Sequence, residues 1–184
     1  MESIHLKGDP ERCVVILPGV RYFSQAPLLW FAREAAQAAG WSVREVTERA
    51  PAGEEPFAWM RDRAARALDL AETGTVAVVG KSLASAAAAL VGERGLPAVW
   101  LTPLLIRPEV VEALAAVTAP TLAVGGTADA SWTDGPPLRP SAALEVLELE
   151  GLDHSLQVPG DVGASLDALR QVTERIGAFL DRLR

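Results

Sequence analysis

The sequence predicts an α/β protein, a three-layer α/β/α sandwich built around a mostly parallel sheet. Three observations predict it. Short apolar, β-branched runs alternate with segments of helical spacing along the whole chain, and alternation of this kind builds βαβ units with helices on both faces of a sheet. Residues 13–17 and 76–79 are apolar without interruption, the pattern of strands covered on both sides. The 184 residues fit one domain, spanning 1–184, and are enough to bury a sizeable core.

Taken in order, residues 3–7 form a short edge strand closed by the turn Gly8-Asp9-Pro10. Residues 13–17 form the first core strand, which stops at Pro18-Gly19. Pro27 opens a helix over 28–39, with Gly40 at its C′ position. Residues 41–46 alternate as a strand, and 51–56 read as a loop. Helical spacing resumes over 57–71, with an Arg/Asp-rich outer face. The central strand, 76–80, turns sharply at Lys81-Ser82 and becomes an alanine-rich helix through Leu90. Residues 96–101 form a strand ending at Thr102-Pro103. A helix follows over 108–117, with Pro108 in its first turn and Glu109 near the positive end of its dipole. Residues 120–124 are an apolar strand ending at Gly125-Gly126. Residues 144–149 form a strand whose Glu145 and Glu148, with Glu150, mark an exposed edge. Pro159-Gly160-Asp161 leads into a closing helix over 162–184.

Composition excludes several classes of function. The net charge is −7 and the Lys and Arg residues do not cluster, which argues against a nucleic-acid or anionic-membrane partner. The lone Cys13 rules out an internal disulfide or a multi-cysteine metal site, and His5 and His154 are too few for a histidine-rich one. No metal and no cofactor is expected. Apolar runs such as 86–91 and 113–117 are too short to cross a bilayer. Residues 1–7 lack the basic start and apolar core of a signal peptide. A cytoplasmic protein is the expectation.

In a parallel sheet flanked by helices, ligands sit beyond the carboxyl ends of the strands. The loops of interest are therefore 18–27, 81–82, 102–108, 125–140 and 151–159. Four features fall there: Leu17-Pro18-Gly19-Val20, Gly80-Lys81-Ser82-Leu83-Ala84, Gly126-Thr127-Ala128-Asp129 and Gly151-Leu152-Asp153-His154-Ser155. Their chain order is Ser, Asp, His.

With that order, the chain resembles the α/β-hydrolases, in particular the small, lidless, dienelactone-hydrolase-like bacterial members. The resemblance runs from Cys13 to the closing helix. Gly80 and Ser82 match the G-x-S-x-G elbow, with Ala84 in place of the last glycine, and Pro18-Gly19 stands where esterases carry a His-Gly pair. It implies the α/β-hydrolase fold in a minimal form with no cap domain. It also implies Ser82 as nucleophile, His154 as its base and Asp129 as the acid that orients the imidazole. The N–H of Leu83, with one from Gly19 or Val20, would form the oxyanion hole.

Plainer readings stand beside these. A serine opening an alanine-rich helix often serves only as an N-cap, and a lone histidine often sits in a surface loop. Asp134, before Gly135-Pro136-Pro137, looks like a turn former. Asp153 is adjacent to His154 and stabilises its turn, which leaves Asp129 as the best-placed acid. Gly-Lys-Ser invites a phosphate-loop reading, but the glycine that pattern needs five positions before Gly80 is Thr75. Lys81 then reads as a solvated elbow residue. Tyr22, Phe23, Leu104, Leu105 and Trp132 lie in the same loops and are candidates for an apolar acyl or alkyl pocket, with core packing as the competing reading. Cys13 reads as inert packing and His5 as an exposed strand residue.

The expected function is that of a serine hydrolase acting on a small-molecule ester, thioester or related acyl compound. A catalytically silent binding protein on the same fold and an acyltransferase are the alternatives.

Overall fold

The computed structural model describes residues 2–48, 55–71 and 74–183. The expected loop over 51–56 lies outside the described residues as far as residue 54. The strands are β1 (Ser3–Leu6), β2 (Asp9–Leu17), β3 (Trp41–Val46), β4 (Thr75–Lys81), β5 (Ala98–Leu101), β6 (Thr121–Gly126) and β7 (Leu144–Leu149). The helices are α1 (Pro27–Ala38), α2 (Pro56–Asp69), α3 (Ala88–Glu93), α4 (Pro108–Ala115), α5 (Ala130–Thr133) and α6 (Val162–Asp181), with a 3-10 helix at Ser82–Ala87.

The strands form one sheet in the order β1-β3-β2-β4-β5-β6-β7. Only β1 runs antiparallel, paired with β3 at one edge; the other pairings are parallel. Because side chains alternate along a strand, the central strands feed two cores. Val15, Val78, Trp100 and Ala123 pack against α2, the 3-10 helix, α3 and α4. Val14, Ile16, Val79, Leu101 and Val124 pack against α1 and α6 on the other face. This double burial is why the inner strands read as unbroken apolar runs. The three-layer α/β/α architecture is the one the sequence predicts, and no segment among the described residues builds a cap domain over the sheet.

Helix boundaries follow local chemistry. Pro27 starts α1, and Gly40 follows it with φ +84°, a left-handed conformation that glycine adopts without strain. Asp161 caps α6 by accepting from the Ala164 N–H. Other boundaries move. β2 begins at Asp9 rather than Cys13, through a register shift between those residues. The alanine-rich segment after Ser82 is not one helix: its first six residues are 3-10. There the Ser85 hydroxyl donates to the Ser82 carbonyl at 2.7 Å, reinforcing a three-residue closure. α5 is a short helix within the expected 125–140 loop.

β7 is an edge strand, as its glutamates indicated. Arg175 of α6 and Arg182, just past its end, both pair with Glu145, so a cross-layer ion network partly covers that edge.

Candidate active site

Every loop singled out above leaves the carboxyl end of a strand, and three of those loops converge. β4 delivers Ser82 at its tip, with φ +53°, unusual for a residue other than glycine. The elbow is tight because its neighbours leave no room for anything larger. A Cβ on Gly80 would lie 2.6 Å from the Trp100 ring and 2.8 Å from the Ala84 Cβ. Ala84 is itself fully buried there, so alanine is tolerated at the third small position while glycine is required at the first.

β6 ends at Gly126, and three residues later Asp129 caps α5 by accepting from the Ser131 N–H. A Cβ on Gly126 would meet the Leu152 carbonyl oxygen at 2.1 Å, so the glycine lets the loop after β7 lie directly on β6. That loop is a closed turn in which Asp153 Oδ1 accepts from the N–H groups of Ser155 and Gln157. Asp153 stabilises the turn and leaves His154 free to face Ser82.

His154 Nε2 lies 2.8 Å from Ser82 Oγ, and His154 Nδ1 lies 2.8 Å from Asp129 Oδ2. The carboxylate is 2% exposed and the imidazole 39%, so the acid is sealed while the histidine meets solvent on one side. Hydroxyl, imidazole and carboxylate thus form one hydrogen-bonded line. Such a line can remove a proton from the hydroxyl and hold the resulting imidazolium.

Gly19 adjoins the serine: a Cβ on it would lie 3.5 Å from the Ser82 Cβ. Its N–H, however, donates to the Tyr22 carbonyl at 2.9 Å. Of the two expected donors on this loop, Gly19 is therefore engaged elsewhere, and Val20, next in the chain and exposed, is the one that remains. Leu83 is the second residue of the 3-10 helix, in the first turn, where N–H groups have no partner within the helix.

The expected pocket residues divide. Phe23 is exposed, and Tyr22 and Leu104 are half-buried. Leu105 and Trp132 are core residues instead. Trp132 lies flat against Gly125, where a Cβ would come within 2.0 Å of its ring, and its indole N–H donates to Glu148 at 2.7 Å. Both are almost fully buried, and what Leu105 shows faces a cleft lined by Ile106, Pro108 and Gly135 rather than by Ser82, Asp129 or His154. His5 is exposed on β1 and Cys13 is buried in β2; burial raises the Cys13 thiol above its ordinary range.

Lys81 departs furthest from expectation. It is 1% exposed, not solvated. Its ammonium donates to Thr102 Oγ1 at 2.8 Å and to the His154 carbonyl at 2.7 Å, and lies 4.9 Å from the centre of the Tyr22 ring. Burial lowers its pKa to about 8, against the opposing pull of Asp129 and Asp153. Hydropathy offers no signal for this placement.

Among the described residues no group of three His, Cys, Asp or Glu side chains is arranged to hold a metal ion, and no helix is long and apolar enough to cross a membrane.

No protein-family model and no curated protein sequence matches the chain. Solved structures do. Est1E from Butyrivibrio proteoclasticus, solved with ferulic acid bound, is 14% identical over 97% of this chain and 93% of its own, with a TM-score of 0.71. The dienelactone hydrolase from Anabaena variabilis is 17% identical over 98% of this chain and 90% of its own, again with a TM-score of 0.71. A lidless α/β serine hydrolase from Xanthomonas campestris is 13% identical over 97% and 84%, with a TM-score of 0.63. At such identities the likeness is one of architecture. With the mostly parallel seven-stranded sheet, it shows that this chain has the α/β-hydrolase fold.

Proposed function

We propose that the protein is a serine hydrolase acting on a small ester, thioester or related acyl compound. The observation that carries the proposal is the unbroken line from Ser82 Oγ through both ring nitrogens of His154 to Asp129. Ser82 attacks the acyl carbonyl while His154 Nε2 takes its proton, and Asp129 stabilises the imidazolium. The N–H groups of Leu83 and Val20 receive the oxyanion, each contributing about 3–4 kcal/mol to the barrier reduction. The imidazolium then protonates the leaving alcohol or thiol. Water, deprotonated by the same imidazole, cleaves the acyl-serine and returns the free hydroxyl. Tyr22, Phe23 and Leu104 are the apolar side chains positioned to meet the substrate's non-reacting portion. The substrate enters from the exposed side of His154, without a cap to cross.

A fluorophosphonate probe tests this directly. Wild type should be labelled at a single serine, and Ser82→Ala should abolish labelling and the hydrolysis of p-nitrophenyl acetate. Unlabelled wild type, or equal labelling of the alanine variant, removes Ser82 as nucleophile.

A further inference from the structure

We infer that Lys81 is a positioning residue, whose ammonium clamps the histidine loop to the tip of β4 and so holds His154 in line with Ser82. This rests on the reading of Ser82 and His154 given above. The clamp touches three separate loops at once. Through Thr102 Oγ1 it reaches the end of β5, through the His154 carbonyl it reaches the loop after β7, and over the Tyr22 ring it reaches the loop after β2. Thr102 and Leu156 both hold positive φ, at +46° and +55°. With Ser82, they are the non-glycine residues of that kind among the described residues. Positive-φ backbone thus lies at two of the three loops the clamp touches and at Ser82, the residue that follows Lys81, and surrounding contacts must over-determine such conformations for them to persist.

The base of the histidine loop is held by the Ala128 N–H donating to the Leu152 carbonyl and the Gly151 N–H donating to Thr127 Oγ1, and Asp153 closes the turn. The Lys81 bond is made by the backbone of His154 itself. An ammonium donor makes a shorter bond, about twice as strong as a neutral one, so the grip depends on the charge. The charged groups facing Lys81 are Asp129, after β6, and Asp153, on the histidine loop; Tyr22 faces it as a neutral ring. The two carboxylates favour the cation, and burial opposes it.

Composition supports a specific role for lysine here. Lys7 and Lys81 are the two lysines among 17 basic residues. Arginine, the cation used elsewhere in this chain, is a rigid planar fork, whereas lysine is a compact point charge able to serve two oxygens within a narrow space.

The test combines turnover with spectroscopy. kcat/KM for p-nitrophenyl acetate is measured from pH 6 to 9.5 for wild type, Lys81→Met and Lys81→Arg. The lysine and histidine side chains of wild type are titrated by NMR over the same range. With two lysines and two histidines in the chain, each gives a resolvable signal, and Lys81→Met assigns its own. Wild-type activity should fall on the alkaline side over the range in which the Lys81 signal titrates, near pH 8. Lys81→Met should lose roughly 10- to 100-fold, mainly in kcat, and lack that alkaline fall. Lys81→Arg, charged throughout, should recover part of the loss and also lack the fall. A Met variant with the wild-type profile, or a Lys81 titration without a matching change in activity, overturns the proposal. If the Met variant does not fold, the wild-type comparison and the Arg variant decide it. If wild type shows neither turnover nor serine labelling, the hydrolase reading fails separately. The clamp is then judged by the His154 ring signal, which follows the Lys81 titration if the two are coupled and ignores it if they are not.

Discussion

Asp129 shows how much chemistry one carboxylate carries. Its two oxygens accept from different donors, Oδ1 from the Ser131 N–H at 2.9 Å and Oδ2 facing His154 Nδ1 at 2.8 Å. An amide has only one accepting oxygen. In Asp129→Asn that oxygen stays with Ser131, and the amide nitrogen must donate to Nδ1. The ring proton then moves to Nε2, where it blocks acceptance from Ser82. A trapped tautomer of this kind costs roughly 10⁴-fold in kcat. Asp129→Asn should therefore keep its circular dichroism spectrum and lose at least about 10³-fold in kcat for p-nitrophenyl acetate; activity within tenfold of wild type would contradict this role. The residue scale is also where the sequence was most uneven as a guide. His154 stood out because it is the one histidine in a loop at the carboxyl side of the sheet. Three aspartates competed for the acid position; adjacency to His154 already argued that Asp153 serves its own turn, and its bonds from the Ser155 and Gln157 N–H groups agree. Lys81 was illegible because its partners lie 21 and 73 residues away, and hydropathy places a lysine in solvent.

At the scale of elements, the strand-turn-helix at Ser82 depends on contacts that a single methyl group breaks. Gly80→Ala places a Cβ 2.6 Å from the Trp100 ring, which is buried and has no slack. Overpacking of this kind costs about 1–3 kcal/mol, and here it also pushes β4 away from the helix that follows. Gly92, in the last turn of α3, is the opposite case: a Cβ there meets nothing within 4 Å, and alanine gains at most about 0.5–1 kcal/mol over glycine in a helix. Thermal unfolding should show Gly80→Ala melting below wild type and Gly92→Ala above it. Equal melting temperatures would mean the elbow relaxes more easily than its packing implies. Strands were read well because burial on both faces writes itself as unbroken apolar runs, of which residues 76–79 are the clearest. The breakdown of the alanine-rich helix into a 3-10 turn was not legible, since alanine suits either geometry and the closure comes from Ser85 bonding to Ser82. α5 was missed for a related reason: four residues are too few for a period to show, and of the two readings open for Leu105 and Trp132, pocket wall or core packing, their burial favours the second.

For the whole molecule, the burial of the Lys81 ammonium opposes its charge, and pH makes that cost to stability measurable. Its pKa is about 8 in the folded protein against 10.5 for an unperturbed lysine, with burial as the main cause. Below pH 8 both folded and unfolded chains carry the charge, and the folded state bears the full desolvation cost. Between about 8 and 10.5 the unfolded chain binds the proton and the folded chain does not, so stability rises with pH across that window. A gap of that size corresponds to about 3 kcal/mol. Urea unfolding of wild type and Lys81→Met at pH 7 and pH 10 isolates this contribution, because every other titrating group is common to both proteins. Wild type should gain on the variant as pH rises, by a few kcal/mol when the window is crossed. A difference that stays flat would mean the lysine is not desolvated in the folded chain. The sign matters more than the size. If the ammonium aligns His154, activity falls over the same pH range in which the fold grows firmer. A lysine that merely propped up the structure would move both quantities together.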